Sequence, residues 1–577
     1  MLSLPLPQAA FASRHIGIND TDIDKMLDAV DAASMAALLD SVIPENIRRQ
    51  SKMALAPALL EHEALAELRG FAAKNQVKTS LIGMGYYNCH TPPVIQRNIL
   101  ENPAWYTAYT PYQPEISQGR LEAILNFQTM IIDLTGMDIA NGSLLDEATA
   151  AAEGMALASR MHKPKGNRFV VDPDTHPQTI AILKTRAEPL GIIIDVQPIG
   201  ASLPDNCFGG LLSYPGSCGA IRDLSGEIAT IHDGGGLAVV CADLLALTLL
   251  TPPGEMGADI VVGSAQRFGV PFSFGGPHAA YFACSQDLQR SIPGRLVGVS
   301  RDSNGRPAYR LALQTREQHI RREKATSNIC TAQALLAIMA SFYAVWHGPE
   351  GLQNIAAHSN RQARRFAAAM MAAGRTIRHQ TFFDTVVIEA ADDRDALMAA
   401  AVAAGFNLRQ LDNAVAASFD ETIDDVALAA IITALGGGLN DDHIDSIPSQ
   451  LVRSSPFLTH HVFHQYRSET ELLRYMRRLA DRDLALDRCM IPLGSCTMKL
   501  NATAEMMPIT WPEFANIHPY APDDQTSGYR EMISRLEEML CQCTGYAAMS
   551  LQPNAGAQGE FAGLLAISRY HQSRGDY

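Results

Sequence analysis

Apolar and polar residues follow different patterns in successive parts of the chain. Between about residues 20 and 68, apolar positions recur at helical spacing, for example at Ile23, Met26 and Val30, which predicts an N-terminal helical arm. From residue 121 to about 401, short and almost wholly apolar runs alternate with helical stretches. Such runs are typical of parallel strands that are covered on both faces. We therefore expect an α/β fold with a doubly wound, mostly parallel sheet.

Individual strands and domain limits follow from the same pattern. Strands are predicted at residues 191–196, 237–242 and 258–263. Residues 331–439 are rich in alanine and mostly helical, with one strand-like run at 385–389, which indicates a smaller α/β domain. The predicted division is an N-terminal helical arm at 1–70, a large domain at 71–330, a small domain at 331–439, a linker at 440–468 and the start of a second unit at 469–577.

A motif occurs twice, about 400 residues apart. Tyr112 in the first copy corresponds to Tyr520 in the second, and Gly136 corresponds to Gly545, so the offset drifts from 408 to 409. A drift of one residue over this span points to duplication of a whole domain. The second copy stops at Tyr577, soon after its motif. We expect one complete domain and the opening of its sister, which makes the second unit truncated.

Composition and charge narrow the class of protein. Hydrophobic residues make up 47% and charged residues 19% of 577, which is typical of a globular protein with large cores. The net charge of −15 disfavours a nucleic-acid partner. The ten cysteines form no C-x-x-C pair, so no metal site is expected. We find no apolar run long enough to span a membrane and no targeting signal, and we expect a protein of the bacterial cytoplasm.

The clearest chemical motif is the segment at 551–560, which reads Leu-Gln-Pro-Asn-Ala-Gly-Ala-Gln-Gly-Glu. A strand-like run at 547–551 enters a turn of small residues that opens a helix, and free backbone N–H groups there suit a phosphate. An ordinary strand–helix turn is the alternative. In the first copy Asp146 and Glu147 stand at this place, where they would cap the helix and repel a phosphate.

Other polar groups keep two interpretations each. Lys499 follows a polar turn and is either a catalytic amine or a solvated lysine. Asp243, after a predicted strand, either binds a ring nitrogen or caps the next helix. The basic run at 315–330 is either an anion-binding or docking surface or a solvated helix face. The Gly- and Pro-rich loop at 263–278 contains no lysine.

Several long strings together resemble the P-protein family of the glycine cleavage system, the glycine dehydrogenases (decarboxylating). They are Arg-His-Ile-Gly at 14–17, Tyr-Thr-Ala-Tyr-Thr-Pro-Tyr-Gln-Pro-Glu at 106–115, Leu-Leu-Asp-Glu-Ala-Thr at 144–149, Gly-Ser-Ala-Gln-Arg-Phe at 263–268, the basic run at 315–330, and Gly-Ser-Cys-Thr-Met-Lys-Leu-Asn at 494–501. The resemblance covers nearly the whole chain.

The resemblance implies two tandem units of the fold-type-I class that binds pyridoxal 5'-phosphate, the first degenerate and the second holding the cofactor. It implies decarboxylation of glycine, release of CO₂ and transfer of the aminomethyl group to the lipoyl group of the H-protein. It also implies association with the other glycine cleavage proteins and a homodimer when complete. The residues that match the phosphate turn are Gly556, Ala557 and Gln558. Those that match the pocket are Ser495, Cys496 and Thr497, with Tyr109, Tyr112 and Gln113 leaning in from the first unit.

The chain departs from the family at the Schiff-base lysine. The family places it in a His-Lys-Thr-Phe string far beyond the phosphate turn, and no lysine follows Lys499 here. In the first unit Gln266 stands at the matching position. We therefore expect a catalytically incomplete chain that is inactive alone. One alternative is a non-catalytic scaffold subunit of a split P-protein. Another is a different enzyme of the same cofactor class, such as a transaminase.

Overall fold

The computed structural model describes residues 11–15, 18–107, 111, 113–161, 166–200, 202–276, 278–313, 320, 322, 325, 332–439, 444–490 and 500–576. Within them the α-helices are α1 (Ala12–His15), α2 (Asp20–Ala29), α3 (Met35–Val42), α4 (Glu61–Ala72), α5 (Pro93–Ile95), α6 (Pro103–Tyr106), α7 (Gln118–Thr135), α8 (Glu147–Met161), α9 (Pro177–Ala187), α10 (Ser225–Asp233), α11 (Ala334–Ala372), α12 (Arg394–Ala403), α13 (Asp425–Ala434), α14 (Val462–Gln465), α15 (Glu469–Ala480), α16 (Thr503–Met506), α17 (Pro512–Ala515), α18 (Ser527–Thr544) and α19 (Gly556–Ser573). The strands are β1 (Thr79–Leu81), β2 (Ile139–Ala140), β3 (Arg168–Val171), β4 (Ile193–Val196), β5 (Cys207–Tyr214), β6 (Leu237–Ala242), β7 (Ile260–Ser264), β8 (Ala280–Cys284), β9 (Leu296–Arg301), β10 (Pro307–Ala312), β11 (Thr385–Glu389), β12 (Phe406–Gln410) and β13 (Ala414–Ser418).

The chain divides into two compact units. The sheet unit consists of Val77–Leu500, Ala515–Ala521 and Asn554–Tyr577. The arm unit consists of Met1–Gln76, Asn501–Phe514 and Pro522–Pro553.

A seven-stranded sheet in the order β2-β8-β7-β6-β5-β3-β4 carries the candidate site of the sheet unit. Strands β4, β3, β5, β6 and β7 pair in parallel, and β8 runs antiparallel to both β7 and β2. The strands predicted from apolar runs are confirmed as β4, β6 and β7. The mostly parallel sheet expected from the sequence is therefore present.

Both faces of this sheet are buried. Along β6, Ala238 and Val240 belong to one hydrophobic cluster, which also includes residues of α7, α10 and α11. Val239 and Cys241 belong to a second cluster with residues of α8 and α9. Because successive side chains of a strand point to opposite faces, a wholly apolar strand contributes side chains to a hydrophobic core on each face of the sheet. The doubly wound arrangement is thus confirmed.

A second, four-stranded sheet in the order β1-β12-β13-β11 lies in the same unit. The expectation of a single strand within residues 331–439 is wrong, because β12 and β13 also lie there. Their sequences, Phe-Asn-Leu-Arg-Gln and Ala-Val-Ala-Ala-Ser, are rich in residues with weak strand preference. Pairing with neighbouring strands decides their conformation instead. Strand β1 pairs in parallel with β12 and comes from before the large sheet in the chain.

The duplication extends to the helices that precede each motif. Helix α4 begins at Glu61 and α15 begins at Glu469, an offset of 408. In the sheet unit, α15 packs against α7. In the arm unit, α4 packs against α18, and Phe71 and Ala72 of α4 form a small core with Trp511 and Phe514.

The strand predicted at 547–551 is wrong, since these residues adopt no regular structure. A strand needs a hydrogen-bonded neighbour, and the described residues place none beside this segment. The helix predicted after it is confirmed as α19. Among the described residues, no helix combines the length and the apolar character needed to cross a bilayer.

Candidate functional site

The loop that follows β7 places Gln266 where the resemblance expects a lysine. Gln266 is buried, and its side chain is fully engaged with the backbone around it. Its Oε1 accepts the N–H of Tyr87 at 2.9 Å. Its Nε2 donates to the carbonyl oxygens of Tyr87, at 2.8 Å, and Val270, at 2.6 Å. Gln266 therefore fastens the segment around Tyr87 to the loop and offers no nucleophilic amine.

The neighbouring residue, Arg267, fills the centre of the site. Its Nη1 pairs with the carboxylate of Asp243, at the end of β6, and with Oδ2 of Asp384 at 2.8 Å, just before β11. The guanidinium carbon lies 3.9 Å from the centre of the Tyr87 ring, within the range of a cation–π contact. Both the arginine and Asp384 are at least nine-tenths buried. Asp243 is thus committed to an ion pair with a protein side chain.

Two carboxylates stand at the start of α8, as the sequence indicates. Oδ1 of Asp146 accepts the N–H of Thr149 at 2.7 Å, which caps the helix. Glu147 is half-buried, and its Oε1 accepts the hydroxyl of Thr179 at 3.3 Å. Burial raises the pKa of Glu147 to about 7, and the negative charges of Asp243 and Asp146 add to the increase, while the bond from Thr179 opposes it.

These groups surround a cavity of about 40 Å³. Its lining includes Tyr87, Glu147, His176, Asp243, Arg267 and Asp384. A wider cavity of about 220 Å³ adjoins it and shares Gly85, Glu147 and Ser264 with it.

His176 is a neutral member of the cavity wall. Its Nδ1 lies 2.8 Å from Oγ of Ser217. Burial lowers the pKa of His176 to about 3, and the charge of Arg409 lowers it further. The imidazole therefore adds no positive charge to the cavity at neutral pH.

The first unit does not fit pyridoxal phosphate. The cofactor needs a lysine for its aldehyde, an acid for its ring nitrogen and an anion site for its phosphate. Gln266 replaces the lysine. Arg267 forms an ion pair with Asp243, the acid that would bind the ring nitrogen. Asp146 and Glu147 bring negative charge to the helix end where the phosphate would lie. All three requirements fail for reasons visible in the contacts.

The residues predicted to hold the phosphate lie at the start of α19. The helix begins at Gly556, which is exposed and has open space where a side chain would be. Ala557 and Gln558 are half-buried. Just before them, Nδ2 of Asn554 donates to Oδ2 of Asp146 at 3.2 Å. The free N–H groups of a helix start are present here, and the phosphate site stays a prediction.

The other predicted pocket residues fall mostly outside the described part of the chain. Ser495, Cys496 and Thr497, like Tyr109 and Tyr112, lie outside it, as do Lys499 and most of the basic run at 315–330. Gln113 is described: its side chain is exposed and its carbonyl oxygen accepts the N–H of Ile116 at 3.3 Å.

Three members of the first-unit site are indicated by the sequence and three others are not. The sequence indicates Asp146, Glu147 and Asp243, of which Glu147 and Asp243 line one cavity. It gives no direct indication of Arg267, Asp384 or Tyr87. Arg267 stands beside the position of the missing lysine. It is the one Lys, Arg, Asp or Glu residue in the loop at 263–278, and a lone charge of this kind is the available signal for a buried ion pair.

Comparison with known proteins gives consistent results. Residues 13–435 match the sequence profile of a family described as the glycine cleavage system P-protein. A glycine dehydrogenase (decarboxylating) from Xanthomonas axonopodis pv. citri (strain 306) is 60% identical over 573 residues, which cover 98% of this chain and 58% of that protein. One from Gluconobacter oxydans (strain 621H) is 59% identical over 582 residues, covering 99% and 61% respectively.

A solved structure agrees with these relatives. The crystal structure of a glycine decarboxylase (P-protein) of the glycine cleavage system, in inhibitor-bound form, is 35% identical with a TM-score of 0.68. The match covers 73% of this chain and 98% of that one. The fold class predicted from the sequence is thereby confirmed. The chain spans about three fifths of the length of the curated relatives it matches.

Proposed function

Because the chain belongs to the glycine cleavage system P-protein family, we propose that it takes part in the decarboxylation of glycine. In the whole protein, glycine loses CO₂ and the remaining aminomethyl group passes to the lipoyl group of the H-protein. The observation that carries this proposal is the 60% identity over 573 residues to a protein named for that activity.

The cofactor of this family is pyridoxal phosphate. When bound, it supplies an electron sink for the charge left by loss of CO₂. The work of the first unit is structural: its ion cluster of Arg267, Asp243 and Asp384 holds the large sheet to the small one, in the place where a cofactor would otherwise lie. The buried contacts of these three residues support this division of labour.

The second-unit residues are the proposed cofactor contacts. Gly556, Ala557 and Gln558 bind the phosphate through backbone N–H groups and the positive end of α19. Ser495, Cys496, Thr497, Tyr109, Tyr112 and Gln113 orient glycine and exclude water. No lysine follows Lys499 in these 577 residues, so we propose that they do not decarboxylate glycine by themselves.

Partners and organisation complete the proposal. The whole protein binds lipoylated H-protein, cooperates with the other glycine cleavage proteins, forms a homodimer and works in the bacterial cytoplasm. Its division follows the limits at residues 70, 330, 439 and 468. Neither nucleic acid nor membrane is a partner, in keeping with the net charge of −15.

A second candidate is a non-catalytic scaffold subunit of a split P-protein. It is favoured by the solved glycine decarboxylase chain, 98% of which is matched by only 73% of this one. In that case the first unit is sufficient for its own role and a separate chain brings the cofactor.

Release of labelled CO₂ from carboxyl-labelled glycine tests both candidates, with pyridoxal phosphate and lipoylated H-protein present. The 577-residue chain alone should give no release. Adding, as a separate chain, the part of the Xanthomonas relative that lies beyond the match should restore it. Turnover by the 577 residues alone, near the rate of the relative, would refute the proposal.

Alanine variants distinguish the two candidates. Replacing Ser495, Cys496 and Thr497 together should abolish the restored activity if residues after 490 belong to the catalytic site. In the scaffold case, a partner chain that carries the whole second unit should be active with the variant and with the unchanged chain alike.

A further inference from the structure

The cavity beside Arg267 carries excess negative charge. Among the described residues, the carboxyl groups of Glu147, Asp243 and Asp384 line it, and Arg267 supplies the single cationic side chain. Asp146 lies next to Glu147 and lines the adjoining cavity. With His176 neutral, the described residues that line the smaller cavity carry a summed charge between −1 and −2, depending on whether Glu147 is ionised.

Of the three carboxyl groups in this lining, that of Glu147 has no cationic partner among the described residues. Its hydrogen bond comes from the hydroxyl of Thr179. Asp243 and Asp384, in contrast, both pair with Nη1 of Arg267. A carboxylate that is largely removed from water and has no counter-charge is disfavoured, so a cation that reached Glu147 would be bound favourably.

Arg267 indicates which second group a molecule bound in this cavity would need. The side chain lines the cavity and is only 4% exposed, yet Nη2 has no hydrogen-bond partner among the described residues. An unpaired buried donor calls for an acceptor. A carboxylate would suit poorly, because Asp243 and Asp384 stand on the same guanidinium and would repel it. A neutral oxygen, such as an amide carbonyl or a hydroxyl, meets both conditions.

We infer that this cavity binds a small primary ammonium compound that carries a neutral oxygen acceptor. The ammonium group lies against Glu147 and Asp243, and the oxygen accepts from Nη2 of Arg267. The free space of about 40 Å³ corresponds to roughly three water sites, which limits the ligand to a few heavy atoms. A longer substituent has room only in the adjoining cavity of about 220 Å³. Among the described residues, the lining of the two cavities includes none of those proposed to bind pyridoxal phosphate or glycine.

Three probes of nearly equal size test the inference by titration calorimetry on the 577-residue chain. Glycinamide has an ammonium group and a neutral carbonyl, acetamide lacks the ammonium group, and glycine replaces the amide by a carboxylate. Glycinamide should bind at least tenfold more tightly than either of the others. Equal or tighter binding of glycine or acetamide, or no binding of glycinamide at millimolar concentration, overturns the inference.

Two matched variants locate the binding. Glu147→Gln keeps the shape of the protonated side chain and removes the charge, so it should fold and lose at least tenfold in glycinamide affinity. Glu188→Gln removes the same charge from a position outside the cavity, where the side chain is 53% exposed, and should leave the affinity unchanged. Unchanged affinity in Glu147→Gln shows that glycinamide binds elsewhere and overturns the assignment.

Discussion

Gly119 donates its backbone N–H to Oδ1 of Asp483 over 2.7 Å, and Arg120 donates its own to Oδ2 over 3.0 Å. Asp483 follows α15, so the end of that helix segment holds the start of α7. Gly119 is required because a Cβ there would lie 2.0 Å from the carbonyl oxygen of Leu479. The two helices approach with backbone against backbone.

The same arrangement recurs in the arm unit. Tyr529 donates its backbone N–H to Oδ1 of Asn75 at 3.1 Å, and a Cβ at Gly528 would lie 1.9 Å from the carbonyl oxygen of Phe71. These positions are the duplicates of those above, at offsets of 408 and 409. The arm helix of each copy therefore packs on the long helix that follows the motif of the other copy.

Gly119→Ala should destabilise the sheet unit by about 3 kcal/mol, because the added methyl group meets rigid backbone. Urea unfolding followed by tryptophan fluorescence in a Trp511→Phe background measures it, since Trp105 and Trp346 then report on this unit. Gly226→Ala is the control, because a Cβ there has open space and the helix gains about 0.5 kcal/mol. Equal effects of the two changes would contradict the close approach.

Arg267→Met should cost about 3–5 kcal/mol, because it leaves Asp243 and Asp384 buried without a counter-charge. The same unfolding measurement applies. Adding Asp384→Asn to Arg267→Met should recover part of the loss, since one of the two unpaired charges is then removed. Arg569→Met, which breaks a mostly exposed pair with Glu188, serves as control and should cost less than about 1 kcal/mol. A similar small cost for Arg267→Met would show that the cluster contributes little.

Gln266→Lys should not create a cofactor site. The new amine stands at the right place in the sequence, but Arg267 still occupies Asp243, and Asp146 and Glu147 still repel a phosphate. Incubation with pyridoxal phosphate, borohydride reduction and peptide mass spectrometry should find no stoichiometric pyridoxyl group at position 266. Labelling of the exposed Lys184 gives the non-specific background. A stoichiometric adduct at position 266 would show that the ion pair of Asp243 and the carboxylates of Asp146 and Glu147 do not prevent binding of pyridoxal phosphate.

Glu147→Gln should stabilise the protein increasingly as the pH rises. The pKa of Glu147 is about 7 in the folded protein against an ordinary 4.5, so the folded state binds more protons between these values. Stability from the protonated group is fully present below pH 4.5 and lost as the pH rises through 7. Glutamine has no proton to lose. The gain over wild type should grow from near zero at pH 4.5 to about 3 kcal/mol at pH 8.

Denaturation at several pH values measures this difference, in which the other titrating groups cancel. The control Glu188→Gln should give a difference within about 0.5 kcal/mol across the range. If the difference in stability between Glu147→Gln and wild type does not change with pH, the pKa of Glu147 is not raised in the folded protein and this prediction is wrong.

Features that depend on local periodicity could be predicted from the amino-acid sequence alone. Strand β6 is a wholly apolar run, and β7 carries no polar side chain before its last residue, Ser264, so burial on both faces requires nothing else of them. Gly136 and Gly545 end their helices in the left-handed conformation that glycine adopts freely, so the duplicated motif could be located from its own residues. Asp146 could be predicted as a cap because its partner is three residues away.

Contacts between distant segments could not be predicted from the sequence and are set by the three-dimensional fold. Arg267 meets Asp243 from 24 residues away and Asp384 from 117, and no local pattern connects such positions. Strands β12 and β13 have weak intrinsic preference and exist because neighbours pair with them. Residues 547–551 have no paired strand beside them among the described residues and form no strand. The packing of each arm helix on the long helix of the other copy likewise has no local sequence signal. Packing and charge pairing depend on which segments meet in space, and the fold sets that.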